Sequence, residues 1–315
     1  PIEIKQCAAC SILWGLVFVT PLGTTAQNII VRHVSVSGFG YDALQVCGGN
    51  DTVAHTCDSD VEDVTIEDGS FNGNTHNGIR IYGGSISNVS LNRVTASQNI
   101  EDGVGFDATN LISNVSLHNV TAHNIGDHPI AVIAGPASDI GPVEILNADV
   151  VGSGLFRGAV VVQGGNVDQV RVRDSDVSAG LGYAIQIGGG VAVSDVSVTG
   201  NTIEPAGWIG VDISGTFASS IAINNNTIGT AQSHGISVVA MDGELQGLVM
   251  NFNMITNSQA AGIHVLGRTA PSPGVMQIGL NTISGGASDA IQIVDPGASG
   301  GHTRVDLVQN QTFAN

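Results

Sequence analysis

Lysine is almost missing from this chain: Lys5 stands alone, and the other eight basic residues are arginines. Against them stand 27 acidic residues, giving a formal net charge of -18. No basic stripe exists to neutralise phosphates, which excludes nucleic acid as a partner. Aromatic residues make up only 4 % of the chain, too few for a core of bulky helices. Long apolar runs are lacking as well. The best candidate, 11–19, is too short to span a membrane, and no charged region precedes it as in a secretory signal. No membrane association is therefore expected. Because Pro1 is not a natural start, a leader is expected to have been lost.

Cysteine is sparse, with four in the chain. Cys47 and Cys57 bracket the polar stretch CGGNDTVAHTC, which reads as a disulfide-closed insertion. An oxidising compartment follows, so a secreted or extracellular location is expected. Cys7 and Cys10 form a C-x-x-C with no second pair for zinc, and read as core residues or a minor bridge.

Abundance lies elsewhere. The 43 glycines and many β-branched residues suit thin, closely stacked strands. A phrase of small residue, apolar, any, apolar recurs along the chain. Its first apolar positions are Leu44, Ile79, Val104, Ile130, Ala159, Ile185, Val211, Ile236, Ile263 and Ile291. After a first gap of 35 residues, the spacings run from 25 to 29. A second column, from Val64 and Val89 to Met276, keeps step about one half-turn earlier. A third runs from Phe71 to Ile283. Alternation at period two means strand, not helix. The fold class is therefore all-β, a single-stranded right-handed parallel β-helix of about ten coils. It forms one domain over 1–315, with 1–27 as opening coil or cap. Longer loops at 47–60, 266–274 and 294–303 are candidate walls of a groove.

Asn201, Asn226, Asn253 and Asn281 share a column, where stacked amides can bond to one another at a corner. Six N-x-[ST] sequences read as turn asparagines rather than glycosylation sites.

In a stacked solenoid, columns become ladders with rungs about 4.8 Å apart. The two positions before each small residue should lie at a turn and face outward. In the early coils they carry Tyr41-Asp42, His76-Asn77, Glu101-Asp102, Asp127-His128 and Phe156-Arg157. Later coils carry Tyr183 and Trp208, then few charges. Arg80, Tyr82 and Asp107 add to the strip from the adjoining strand. Stacked carboxylates repel, so one should hold its proton near neutral pH. That is the arrangement glycoside hydrolysis needs. Asp102, Glu101, Asp127, His128 and Asp107 are the candidate catalytic residues. His76, Arg80, Tyr82, Arg157, Tyr183 and Trp208 are the candidate substrate contacts, and no metal site is assigned. His234 and His264 read as structural, and Asp212 is given no role.

At these residues the chain resembles the pectin lyase-like β-helix superfamily of carbohydrate enzymes. Polygalacturonases carry N-T-D-G, D-D, G-H-G and R-I-K on successive coils, where this chain has NTHNGI, IEDGV, GDHPI and FRGAV. Asn74-Thr75, Glu101-Asp102, His128 and Arg157 keep that order. His76-Asn77 replaces the first aspartate, and the lysine is missing. Mannuronan C5-epimerases carry D-G-F-V-A-D, which Asp102-Gly103-Val104-Gly105-Phe106-Asp107 is similar to; Asp127-His128-Pro129 loosely resembles their R-H-G. Their first motif falls on 78–82, without its aspartate and histidine. Both resemblances imply a polysaccharide or oligosaccharide substrate.

Three functions stay open at this point. The first is a secreted glycoside hydrolase using paired carboxylates and no cofactor. The second is a polysaccharide lyase or uronate C5-epimerase, with Ca²⁺ as a possible cofactor and Arg80 or Tyr82 as base. The third is a non-catalytic glycan-binding β-helix.

Overall fold

The structure, a computed structural model, describes residues 2–5, 15–51, 56–152, 158–269, 276–294 and 305–313. Among them the regular elements are strands only, stacked as a parallel β-solenoid of about ten turns. Every strand pair is parallel except Leu44–Asp51 with Thr56–Cys57, which form a small antiparallel hairpin.

The alternation seen in the sequence becomes the inside and outside of the solenoid. Leu44, Ile79, Val104, Ile130, Ile185, Val211, Ile236 and Ile263 are fully buried and stack rung upon rung. Ile291 continues the stack beside Ile263 and is partly covered. One position needs correction. Ile130 pairs with Val160, not Ala159, and Val160 pairs with Ile185. The stretch Ala159-Val160-Val161-Val162 is apolar at every position, so alternation cannot specify its register there. The second and third columns pair as expected, for example Val64 with Val89 and Val150 with Val177.

The opening segment contributes two strands. Ile2–Lys5 pairs with Val34–Ser37, and Leu16–Pro21 pairs with Leu44–Asp51. Cys7 and Cys10 lie outside the described residues, as do most of the loops at 266–274 and 294–303. The Cys47–Cys57 disulfide is formed, with Cα atoms 5.4 Å apart.

Long strands turn corners through residues with left-handed backbone. Asn88, Asn114, Asn119 and Asn225 have φ of 55°, 52°, 53° and 55°. Asparagine tolerates that conformation better than most residues. Four of the N-x-[ST] asparagines are thus accounted for as corner residues.

Asn201, Asn226, Asn253 and Asn281 form the expected amide ladder. Each Nδ2 donates to the next Oδ1 at 2.9–3.0 Å, and Asn310 extends the ladder. Each Oδ1 also accepts the preceding member's backbone N–H. The early turns use another corner: Asn74 Nδ2 donates to Asn99 Oδ1 at 2.8 Å.

Candidate functional site

A third ladder runs through the turn that precedes the first column, and it rearranges the predicted strip. Asn77 donates its Nδ2 to Asp42 Oδ1 at 2.8 Å. Asn77 Oδ1 accepts the backbone N–H of Asp102, and Asp102 Oδ1 accepts that of His128, both at 3.0 Å. Both turn positions were expected to face outward. Asp42 and Asn77 are instead 2 % exposed, and His128 is 8 % exposed. The side chains of Asp42 and Asn77 run along the axis and accept a backbone N–H of the next turn, where the corner N–H has no backbone acceptor. The first position of each pair does face out: Tyr41 stacks on His76 with ring centroids 4.3 Å apart, and His76 Nδ1 lies 3.0 Å from Glu101.

Asp102 links this corner to the sheet face. Its Oδ1 is taken by His128, whose Nδ1 also lies 3.1 Å away. Its Oδ2 lies over Gly105, where an added Cβ would come within 3.1 Å of that oxygen. The glycine makes room for the carboxylate to reach the outer face. Asp127 joins from the neighbouring position, its Oδ1 3.4 Å from His128 Nδ1.

Two residues beyond Gly105, Asp107 faces outward on the same strand, Val104–Ile125. It lies 3.3 Å from Arg80, and Arg80 sits 4.8 Å from the Tyr82 ring centroid. Gln45 donates to the Tyr82 hydroxyl. Together Arg80, Tyr82, Asp107, Ile133, Cys57 and Asp58 line a cleft of about 370 Å³. The disulfide fixes its wall, since Cys47 pairs in register with Tyr82.

Electrostatics divide these groups. Burial pushes the Asp107 carboxyl above its usual range; the Arg80 charge opposes this and the Asp102 charge adds to it. Asp107 keeps 43 % of its side chain accessible, so screening limits the shift. Burial alone would lower Arg80, but Asp107, Asp42 and Glu101 hold it above its ordinary value. Burial raises Tyr82 despite Arg80. Neither Arg80 nor Tyr82 is thereby prepared to lose a proton.

Among the described residues, Asp102, Asp127 and His128 are the one group whose ligand atoms lie within 4.8 Å of one another, close enough to hold a metal ion. Two carboxylates and an imidazole do not fit Ca²⁺, which takes six to eight oxygen ligands.

The structure thus brings together Glu101, Asp102, Asp107, Asp127, His128, His76, Arg80 and Tyr82. Arg157 lies outside the described residues. Tyr183 stands three rungs beyond Asp102 in the corner column, about 14 Å by strand spacing, and Trp208 is one turn further at 43 % exposure. His234 and His264 stack with centroids 4.5 Å apart, and burial lowers both.

One group carried no functional signal in the sequence. Asp212 occupies the outward column yet is only 8 % exposed, and burial pushes its carboxyl up to about 6. The register Gln186–Asp212–Ser237, hydrogen-bonding groups on three adjoining rungs, is the signal that could have found it.

In comparisons with known proteins, no family model matches the chain and no curated protein matches it either.

Proposed function

We propose that this protein is a secreted, polysaccharide-active enzyme that hydrolyses glycosidic bonds in the cleft on the face of its early turns. One observation carries the reading: two carboxyl groups reach the same face from different surroundings. Asp107 is raised by burial, while Asp102 is held by the N–H and imidazole of His128. A carboxyl raised by burial suits the acid role, and one whose second oxygen is open over Gly105 is placed for the base role. Asp107 donates the proton to the leaving oxygen, and Asp102 acts as base toward water. Arg80, Tyr82 and His76 hold the sugar, and Glu101 and Asp127 set the local field.

The resemblance to the pectin lyase-like superfamily supports a polysaccharide substrate. The elimination and epimerisation reading is less well supported, because it needs Arg80 or Tyr82 as base and the surroundings of both disfavour proton loss.

The test is incubation with a panel of neutral and uronate polysaccharides, with and without EDTA. Reducing ends and ultraviolet absorbance of unsaturated uronates are followed together. New reducing ends without unsaturation are expected, and EDTA should not suppress them. Unsaturated products would replace hydrolysis with lyase chemistry. Neither signal from any polymer would leave a uronate epimerase or a binding module.

A further inference from the structure

Four rungs along the same face from Asp107, about 19 Å by strand spacing, the surface changes character. Between them the outward positions are Ala131, Ile133, Val161, Gln163, Gln186 and Gly188, without a charge. Then comes Asp212. A carboxyl group is almost never buried without a partner. The partners here are hydroxyls alone: Ser214 Oγ at 3.5 Å and Ser237 on the adjoining rung. Among the described residues no arginine, lysine or histidine contributes to its surroundings.

Asp212 also lacks the structural task of its relatives on the corner. Asp42 and Asp102 each accept a backbone N–H of the next turn. Among the described residues Asp212 accepts none, bonding only to the two serines. A carboxyl kept at such a cost, with acceptor capacity to spare, is placed for a ligand.

The neighbours specify the ligand's chemistry. On the preceding strand, Tyr183 is near enough for Asp212 to raise its hydroxyl, after burial itself. Gln186 is uncharged. On the following side lie Ser237 and then His264, stacked on His234, with burial lowering both histidines. Hydroxyls, an amide, an aromatic ring and one acid suit a hydroxyl-rich unit, and among the described residues no arginine or lysine acts on Asp212 to receive a carboxylate.

We propose that Asp212 anchors a second saccharide subsite on this face, selective for a neutral sugar unit, with Tyr183 and the exposed ring of Trp208 at its rim. The inference rests on the polysaccharide reading of the early-turn cleft and adds that the polymer carries neutral sugars four rungs away. Among the described residues, those acting on Asp212 would offer a uronate only negative or uncharged groups.

The experiment is calorimetric titration of the full chain with short and long cello-, xylo- and manno-oligosaccharides, and with oligogalacturonates, near pH 7. Asp212→Ala and Tyr183→Ala are compared with the wild type. A hydrogen bond to a charged group predicts a loss of roughly tenfold or more for the long neutral oligosaccharides in Asp212→Ala. Short ones, which fill only the Arg80–Asp107 cleft, should bind unchanged. Should Asp212→Ala fail to fold by circular dichroism, Tyr183→Ala carries the same length-dependent readout. Equal losses for short and long ligands, or no loss, overturn the subsite. Binding of oligogalacturonates alone overturns the neutral selectivity but leaves the polysaccharide reading standing. No binding of any saccharide overturns both.

Discussion

Asp102 Oδ1 accepts the backbone N–H of His128 at 3.0 Å and faces the same residue's Nδ1 at 3.1 Å. One oxygen of this carboxylate therefore holds a corner, and the other is left for chemistry over Gly105. The adjoining turn shows that an amide serves the corner equally well, since Asn77 accepts the N–H of Asp102 through its own Oδ1. Asp102→Asn should keep its fold and melting temperature while losing about 10² to 10⁴ in rate, the scale of one general base. Asp289→Asn, in the same column at the other end, is the control and should retain full rate. Wild-type turnover in Asp102→Asn would remove Asp102 from the mechanism.

On the proposed hydrolytic reading, the ion pair of Arg80 and Asp107 should set the alkaline limit of activity. Asp107 must carry its proton to act as acid, so kcat/KM should fall as pH rises through its raised value. The Arg80 charge opposes that elevation. Arg80→Gln should therefore move the alkaline limb to higher pH, apart from any loss in substrate affinity. A limb that stays in place, or moves to lower pH, would show that Asp107 is not the group that titrates.

Folding stability should record Asp212 directly. Its folded value of about 6 stands above the ordinary aspartate value of 3.8, so protonation favours the folded state. The contribution of Asp212 is then complete below about pH 4 and is lost as pH rises through about 6, by about 3 kcal/mol at one pKa unit per 1.36 kcal/mol. Asp212→Asn should flatten this part of the denaturation profile and leave the variant more stable than the wild type at neutral pH. Parallel profiles for both proteins would contradict the shift.

The amide ladder is costly to interrupt. Asn226 Oδ1 accepts the backbone N–H and the Nδ2 of Asn201, and its own Nδ2 donates to Val198 and Asn253. Asn226→Ala leaves several of these buried groups unsatisfied, at about 1–3 kcal/mol each. A loss of at least about 3 kcal/mol in urea denaturation is expected. Asn88→Gly, on an exposed left-handed corner with bonds to Asp63 and Asn114, should cost less than about 1 kcal/mol. Equal costs would mean that the ladder is decorative.

How far the sequence could be read follows from where its pattern alternates. Val64, Val89 and Val115 are each followed by a polar and then an apolar residue, and their rungs were legible without coordinates. Ala159-Val160-Val161-Val162 offers no polar residue to mark the outside, and there the reading slipped by one. The polar strip was legible as a cluster, but the direction of each side chain was not. Asp42 and Asp102 turn along the axis because the next turn presents an N–H without an acceptor, a fact about neighbouring coils. Asp212 was missed for the same reason: its depth is set by residues on other turns, and a single column cannot reveal it.

The stacked amides change corners partway along the solenoid. Asn74 and Asn99 follow the third column in the early turns, whereas the run from Asn201 to Asn310 precedes it in the later ones. Mechanically, the rod is laced along one edge at its start and along a different edge for the rest of its length, with no amide shared between the two seams. A break in one seam therefore leaves the amide bonds of the other untouched.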